Sequence, residues 1–180
     1  MKKIFDEIPC ISGNNIVIKK ITDKDANALA QMAGDKDVYK YLPTFLFEQK
    51  YKDINFVIKQ IYDECFANKE SVILGVYLKN SGDICGLAEM YGFKDNIHKV
   101  SIGYRLIKKY WGRGIATEIV ALLIGYIYTD TDTEIITAST MVENSASARV
   151  LEKNGFSLVV SAADEDWGYD KPTKADKWIR

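Results

Sequence analysis

A chain of 180 residues, 47% hydrophobic and 27% charged, is sized for one soluble globular domain with a sizeable core, and it holds no linker, repeat or low-complexity segment. A net charge of −1 leaves no overall footprint for nucleic acid, and a single histidine, His98, removes most His-dependent metal sites and makes a Ser-His-Asp triad improbable. Three scattered cysteines, Cys10, Cys65 and Cys85, argue against a disulfide frame or a zinc site and fit a reducing cytoplasm.

At the N-terminus Lys2 and Lys3 are followed by Asp6 and Glu7 before any apolar run, so no signal peptide is expected, and no later stretch is long enough to span a bilayer. Asn15 to Ile21 reads as the first strand, and Thr22-Asp23 as a cap for a helix to about Ala33. Residues 35–43 read as a loop with aromatic anchors. Tyr51, Ile54, Ile58, Ile61 and Cys65 recur at three and four, which predicts a helix over 49–67. Strands at 71–78 and 83–91 are joined by the turn signal Asn80-Ser81-Gly82, and Asp95-Asn96 precedes a strand at 98–107. A long amphipathic helix carries Ile115, Ile119, Leu122, Leu123, Tyr126 and Ile127 on one face. A strand at 134–140, a capped helix at 144–154, a strand at 156–161 and a last strand near 174–180 complete a mixed α/β order, β-α-α-β-β-β-α-β-α-β-β, in a single domain spanning 1–180.

Between the strand at 98–107 and the long helix lies Trp111-Gly112-Arg113-Gly114-Ile115-Ala116. Glycine lets backbone approach a ligand, and the helix start adds unpaired N–H groups and a positive dipole end. Strand, glycine turn and helix together make a seat for phosphates. The turn is not the dinucleotide fingerprint, whose third glycine would fall at Thr117, and no nucleotide P-loop string exists. A local basic patch of Arg105, Lys108, Lys109 and Arg113 surrounds it.

The turn resembles the pyrophosphate loop Q/R-x-x-G-x-G/A of the GCN5-related N-acetyltransferases (GNAT), with Trp111 departing at the first position. That departure resembles the branch of ribosomal-protein N-terminal (Rim-type) acetyltransferases, which reads Y-W-G-K-G-Y-A-T-E there. A second segment, Asn144 to Phe156, is similar to that branch's N-x-x-S-x-R-V-L-E-K-x-G-F. The resemblance implies a central, mostly antiparallel sheet of six to seven strands, splayed between the fourth and fifth, with about four flanking helices. It also implies acetyl-CoA as donor and no metal. Acetyl-CoA would then lie on the backbone of Arg105, Leu106 and Ile107, on the turn from Trp111 through Ala116, and against Asn144 and Ser147, with the basic patch on its phosphates.

Acetyl transfer to an amine needs a neutral amine, a donor for the carbonyl oxygen as charge builds, and a proton for the leaving thiolate. Deprotonating an α-amine at pH 7 costs roughly 1.4 kcal/mol against roughly 4.6 for a lysine, so a weak or water-relayed base suffices for the former. Glu89, in an otherwise apolar strand, is the first candidate base, or else a carboxylate facing solvent. His98 is a second candidate, although it sits at a turn. The branch's fourth-strand carboxylate is replaced by Ser101, and the family's thiolate-protonating tyrosine by Leu151; Ser147 is the substitute that the resemblance suggests. Asn144 either caps its helix or also holds the pantetheine arm. Tyr39, Tyr41 and Trp167 border the acceptor cleft in this fold, with Pro43, Phe45 and Tyr169 nearby, and Asp164, Glu165 and Asp166 either attract a cationic amine or are a solvated run. The reading is an N-acetyltransferase acting by direct attack on a peptide N-terminus, a polyamine or an aminoglycoside, as monomer or homodimer, without membrane or nucleic acid. Cys85, with no evident partner, is the sole candidate for a covalent route. The alternative is an acetyl-CoA-binding module without catalysis.

Overall fold

The computed structural model describes residues 4–180; Lys2 and Lys3, on which part of the signal-peptide reading rests, lie outside the described residues. Eight strands form one sheet in the order β1-β2-β3-β4-β5-β6-β8-β7. They are β1 (Ile11–Ser12), β2 (Ile16–Lys19), β3 (Ser71–Leu78), β4 (Ile84–Lys94), β5 (Lys99–Leu106), β6 (Ile135–Met141), β7 (Ser157–Glu165) and β8 (Thr173–Ile179). All neighbours run antiparallel except β5 and β6, which are parallel. Eight strands exceed the expected six to seven because Ile11–Ser12 adds a short edge strand against β2.

The strands alternate as their period-2 pattern demands. On β4, Ala88 and Met90 join Val100 and Ile102 of β5 in a core covered by α6 (Ile115–Asp130) and α7 (Ser145–Lys153). Ile119, Val120, Leu123 and Ile127 of α6 are fully buried there. The opposite face, with Ile73 and Leu87, packs under α1 (Ala26–Ala33), α2 (Lys36–Tyr39), α3 (Phe47–Lys50), α4 (Ile54–Phe56) and α5 (Tyr62–Ala67). No helix among the described residues is long and apolar enough to cross a membrane.

The helical region departs from the sequence reading in two places. The helix expected over 49–67 is interrupted at Tyr51, whose backbone is extended, because Asp53 starts a new helix by accepting from the N–H of Asn55 and Phe56. A π-turn, Val57–Ile61, then joins α4 to α5. The loop expected at 35–43 contains α2, which Asp35 initiates by capping the N–H of Asp37. Farther on, the strand expected at 156–161 continues to Glu165, with register shifts at Leu158/Val160 and Val160/Ala163. The acidic run therefore does not form a free loop. Asp164 pairs with Lys174 at 2.8 Å, Glu165 with Lys177, and Asp166 accepts from the N–H of Gly168 at 2.9 Å.

Candidate active site

Strands β5 and β6 pair only at Lys99/Ile135, Val100/Ile136 and Ser101/Thr137, and then part. From Ile102 to Leu106, β5 is paired with β4 alone. The direction of its backbone follows from one bond, the Ile107 N–H donating to Cys85 at 2.9 Å. Antiparallel pairing alternates, so Arg105 and Gly103 also turn their amides toward β4, while Tyr104 and Leu106 turn theirs into the gap. Of the three residues expected to lie against a ligand, Arg105, Leu106 and Ile107, Leu106 alone turns its amide and carbonyl into the gap; the amides of Arg105 and Ile107 turn toward β4. The Leu106 carbonyl accepts from the Trp111 indole N–H at 2.9 Å, which ties the glycine turn to the end of β5.

In that turn Gly112 has φ 71° and Gly114 φ 78°, and a Cβ at either would meet nothing within 4 Å. Glycine is required there by conformation, and the space in front is open. Glu118 N–H bonds to the Gly114 carbonyl, leaving the amides of Ile115, Ala116 and Thr117 without an intrahelical acceptor. The Ile115 side chain is buried and fixes the helix start, whereas Trp111 and Arg113 are exposed. A diphosphate fits such a cradle. The basic patch is smaller than expected. Arg105 is buried on the other face of the sheet and Lys108 pairs with Asp37, so Lys109 and Arg113, both stacked near the Tyr110 ring, remain for anions.

On the helical face of β4 and β5, Glu89 and Arg105 meet. Arg105 Nη1 donates to Glu89 Oε2 at 3.1 Å, and its Nε pairs with Glu48 Oε1. Glu48 accepts in addition from the phenols of Tyr39 (2.9 Å) and Tyr62 (3.2 Å). The Glu89 side chain keeps 15% exposure, while that of Glu48 is wholly buried. Burial pushes the Glu89 carboxyl above the usual range, Arg105 pulls it back and Glu48 adds to the rise. Glu89 is thus neither free in solvent nor sealed in the core. Tyr39 is a correction: its hydroxyl is committed to Glu48 and its ring is buried, so it braces the cluster and does not line an acceptor cleft. Sequence reading missed Glu48 and the side-chain role of Arg105. The one signal was a charge on the Ser101, Gly103, Arg105 face of β5, and register with Glu89 was needed to read it.

Across the gap, Asn144 Oδ1 caps α7 by accepting from the Ser147 N–H at 3.2 Å. Ser147 Oγ lies 3.1 Å from the hydroxyl of Tyr104, so two hydroxyls bridge β5 and α7 where the strands have parted. Burial raises the Tyr104 phenol and the Ser147 bond lowers it; the net is upward, which keeps the proton in place. One end of the helical face is closed by Tyr41 packed on buried Met141, Trp167 and Ala175. Trp167 is therefore a wall, not a free contact surface. Thr44 N–H and Oγ1 donate to the carbonyls of Trp167 and Gly168, both at 2.9 Å, and the Tyr169 hydroxyl donates to Leu42 at 2.8 Å, strapping loop 41–46 to loop 166–169.

A family model described as an acetyltransferase (GNAT) domain matches residues 15–157. The chain belongs to the GNAT acetyltransferases. Among its curated relatives, the uncharacterized N-acetyltransferase YoaA of Bacillus subtilis (strain 168) is 23% identical over 148 residues, 82% of each chain. A crystal structure of a GNAT-family acetyltransferase from Bacillus anthracis has a TM-score of 0.80 at 22% identity, covering 96% of this chain and 98% of that one. A RimL ribosomal L7/L12 alpha-N-protein acetyltransferase in complex with coenzyme A also reaches 0.80, at 16% identity over 96% of this chain and 97% of that one. The likeness therefore extends to Rim-type structures.

In this GNAT chain the other residues considered for chemistry are poorly placed. Leu151 is 2% exposed and packs in the core. His98 caps a turn in the left-handed region just before β5 and is exposed, five residues or roughly 16 Å from Gly103, the partner of Glu89, at about 3.3 Å per residue. Cys85 is fully buried and its thiol is pushed up to about 12, mainly by burial.

Proposed function

We propose that this acetyltransferase moves an acetyl group from acetyl-CoA to a primary amine by direct attack within a ternary complex. The observation that carries the reading is the gap between β5 and β6, with an open glycine turn at its end, a carboxylate on one face and a hydroxyl pair on the other. The Tyr104 and Leu106 backbone offers the pantetheine arm the pairing that β6 withdraws, and Asn144 borders the same path. The amides from Gly112 to Ala116, with Lys109 and Arg113, hold the phosphates.

In the reaction Glu89 accepts the proton of the incoming ammonium and leaves a neutral amine beside the thioester. As the C–N bond forms and the C–S bond breaks, the Tyr104–Ser147 pair gives a proton to the departing sulfur, and the acylated nitrogen loses its second proton to solvent, from which the pair is reprotonated. The sum is acetylated amine, free thiol and one proton released. Tyr104, absent from the sequence reading, thereby fills the place that Leu151 leaves empty. A peptide α-amine is the acceptor we favour. Its deprotonation asks least of a base, and the RimL neighbour is named for an α-N-protein substrate.

Thiol release from acetyl-CoA, measured against N-terminal peptides, polyamines and aminoglycosides, tests the reading. Release with peptides alone supports an N-terminal acetyltransferase; release with another class reassigns the acceptor. Tight acetyl-CoA binding without release from any acceptor would favour the binding-module reading. No binding at all would mean that the glycine turn has another ligand.

A further inference from the structure

The cluster behind Glu89 is larger than anchoring one carboxylate requires. Arg105 is 4% exposed and stands between two carboxylates, its Nη1 hydrogen-bonded to Glu89 and its Nε in an ion pair with Glu48, while neither Nε nor Nη2 makes a hydrogen bond. Glu48 is held by its ion pair with Arg105 and by hydrogen bonds from Tyr39 and Tyr62. Glu89 receives a single donor, and it alone of the ion-paired three reaches the surface appreciably. Two carboxylates share one guanidinium, and the one that faces the cleft has the fewer donors. A buried ion cluster is weak evidence of a stabilising role, since apolar side chains of the same volume often fill such a space about as well.

We propose, building on Glu89 as the base, that Arg105 is a positioning residue and Glu48 its fixed counter-ion, the two together aiming Glu89 at the cleft and setting the pH at which it accepts a proton. Arg105 occupies Oε2, which leaves Oε1 as the oxygen for the amine. The titratable groups that surround Glu89 are Arg105 from β5, Glu48 from α3, Tyr39 from α2, Tyr62 and Cys65 from α5, and Tyr91 from β4, with Glu165 of β7 beyond Tyr91. Burial pushes all three phenols and the thiol upward, so they stay neutral through the working range. Among the near neighbours the charge on Glu89 is then set by Arg105 against Glu48, which act with opposite sign.

The opposite signs give the test. In the full chain, the carboxyl carbon of Glu89 is titrated by NMR with labelled glutamate, assigned by its loss in Glu89→Gln, alongside the pH dependence of kcat/KM. Arg105→Met is expected to move the Glu89 titration up by about one unit or more, and Glu48→Gln to move it down. Arg105→Lys is expected to recover part of the shift. The acid limb of kcat/KM should follow in the same opposite directions. Shifts of the same sign in both folded variants, or no shift in either, would overturn the inference, because a purely structural role predicts loss at every pH. If Arg105→Met does not fold, a downward shift in Glu48→Gln upholds the inference and an upward or absent one sinks it. A carboxyl that moves as expected under an acid limb that stays fixed upholds the positioning and overturns the base assignment beneath it.

Discussion

At the scale of single residues, a carboxylate and a thiol four positions apart on β4 have opposite fates. Glu89 lies at a boundary, with burial opposing its charge and Arg105 favouring it, and this suits a group that must take a proton and give it up again. Replacing it by glutamine is expected to lower kcat by roughly 10²- to 10⁴-fold, the range of a general base, with acetyl-CoA affinity nearly unchanged. Steady-state kinetics together with calorimetric titration of acetyl-CoA separate the two; turnover at the parent rate would remove Glu89 from the mechanism. Because the carboxyl is raised, kcat/KM should fall with decreasing pH through a value above that of an ordinary glutamate. Cys85 is the contrary case. Sealed in the core with its thiol pushed up to about 12, it has almost no thiolate at neutral pH. Native protein treated with iodoacetamide should carry label on exposed Cys10 alone, leaving Cys65 and Cys85 unmodified by mass spectrometry. Rapid labelling of Cys85, or an acetyl group trapped on it, would reopen the covalent route.

At the scale of elements, the proposed function gives two glycine-bearing turns different parts, one at the phosphates and one at the acceptor end, so they should fail in different ways. Alanine at Gly114 meets no neighbour but must hold φ near 78°, at a cost of about 1–2 kcal/mol, and it disturbs the amides proposed to hold phosphate. Gly168 also has positive φ, and a Cβ there would collide with Thr44 Oγ1, pushing apart the strapped loops 41–46 and 166–169. Gly114→Ala is therefore expected to raise the KM for acetyl-CoA several-fold with little effect on the acceptor, and Gly168→Ala to do the reverse. A matching rise in both constants for both variants would show that the turns act through global stability instead. The first of these turns was legible in the sequence, since strand, glycine pair and amphipathic helix are neighbours along the chain. The second was not, because Thr44 and Gly168 are 124 positions apart and no local pattern joins them. The same distinction explains Tyr39 and Trp167. Aromatic content marked them as important, but whether such a ring lines a cleft or closes a core depends on partners from elsewhere, Glu48 for one and Met141 for the other.

For the whole molecule, the sheet is continuous through eight strands, but its pairing is short at the seam between β5 and β6. Strand β5 is paired along its length with β4, yet with β6 over three residues only. Above that point the two halves are held by side chains, the Tyr104–Ser147 bond on one face and the strapped loops on the other. The α/β order was legible in the periodicities, and the splay was implied by the resemblance of the glycine turn and of the α7 segment to the GNAT family. The alternation that selects Tyr104 and Leu106 needed one observed bond to fix its phase. This geometry makes a prediction about the free protein. Amides of Tyr104 and Leu106, which face the gap, should exchange with solvent far faster than those of Gly103 and Arg105, which face β4. Acetyl-CoA at about 100 times its dissociation constant should add about 2.7 kcal/mol of stability and raise Tm by roughly 5–10 °C. Its arm should slow exchange at Tyr104 and Leu106 selectively. Residue-resolved hydrogen exchange with and without the ligand reads both effects. Protection spread evenly over β5, or confined to α6, would mean that the ligand stabilises the fold without filling the gap between β5 and β6.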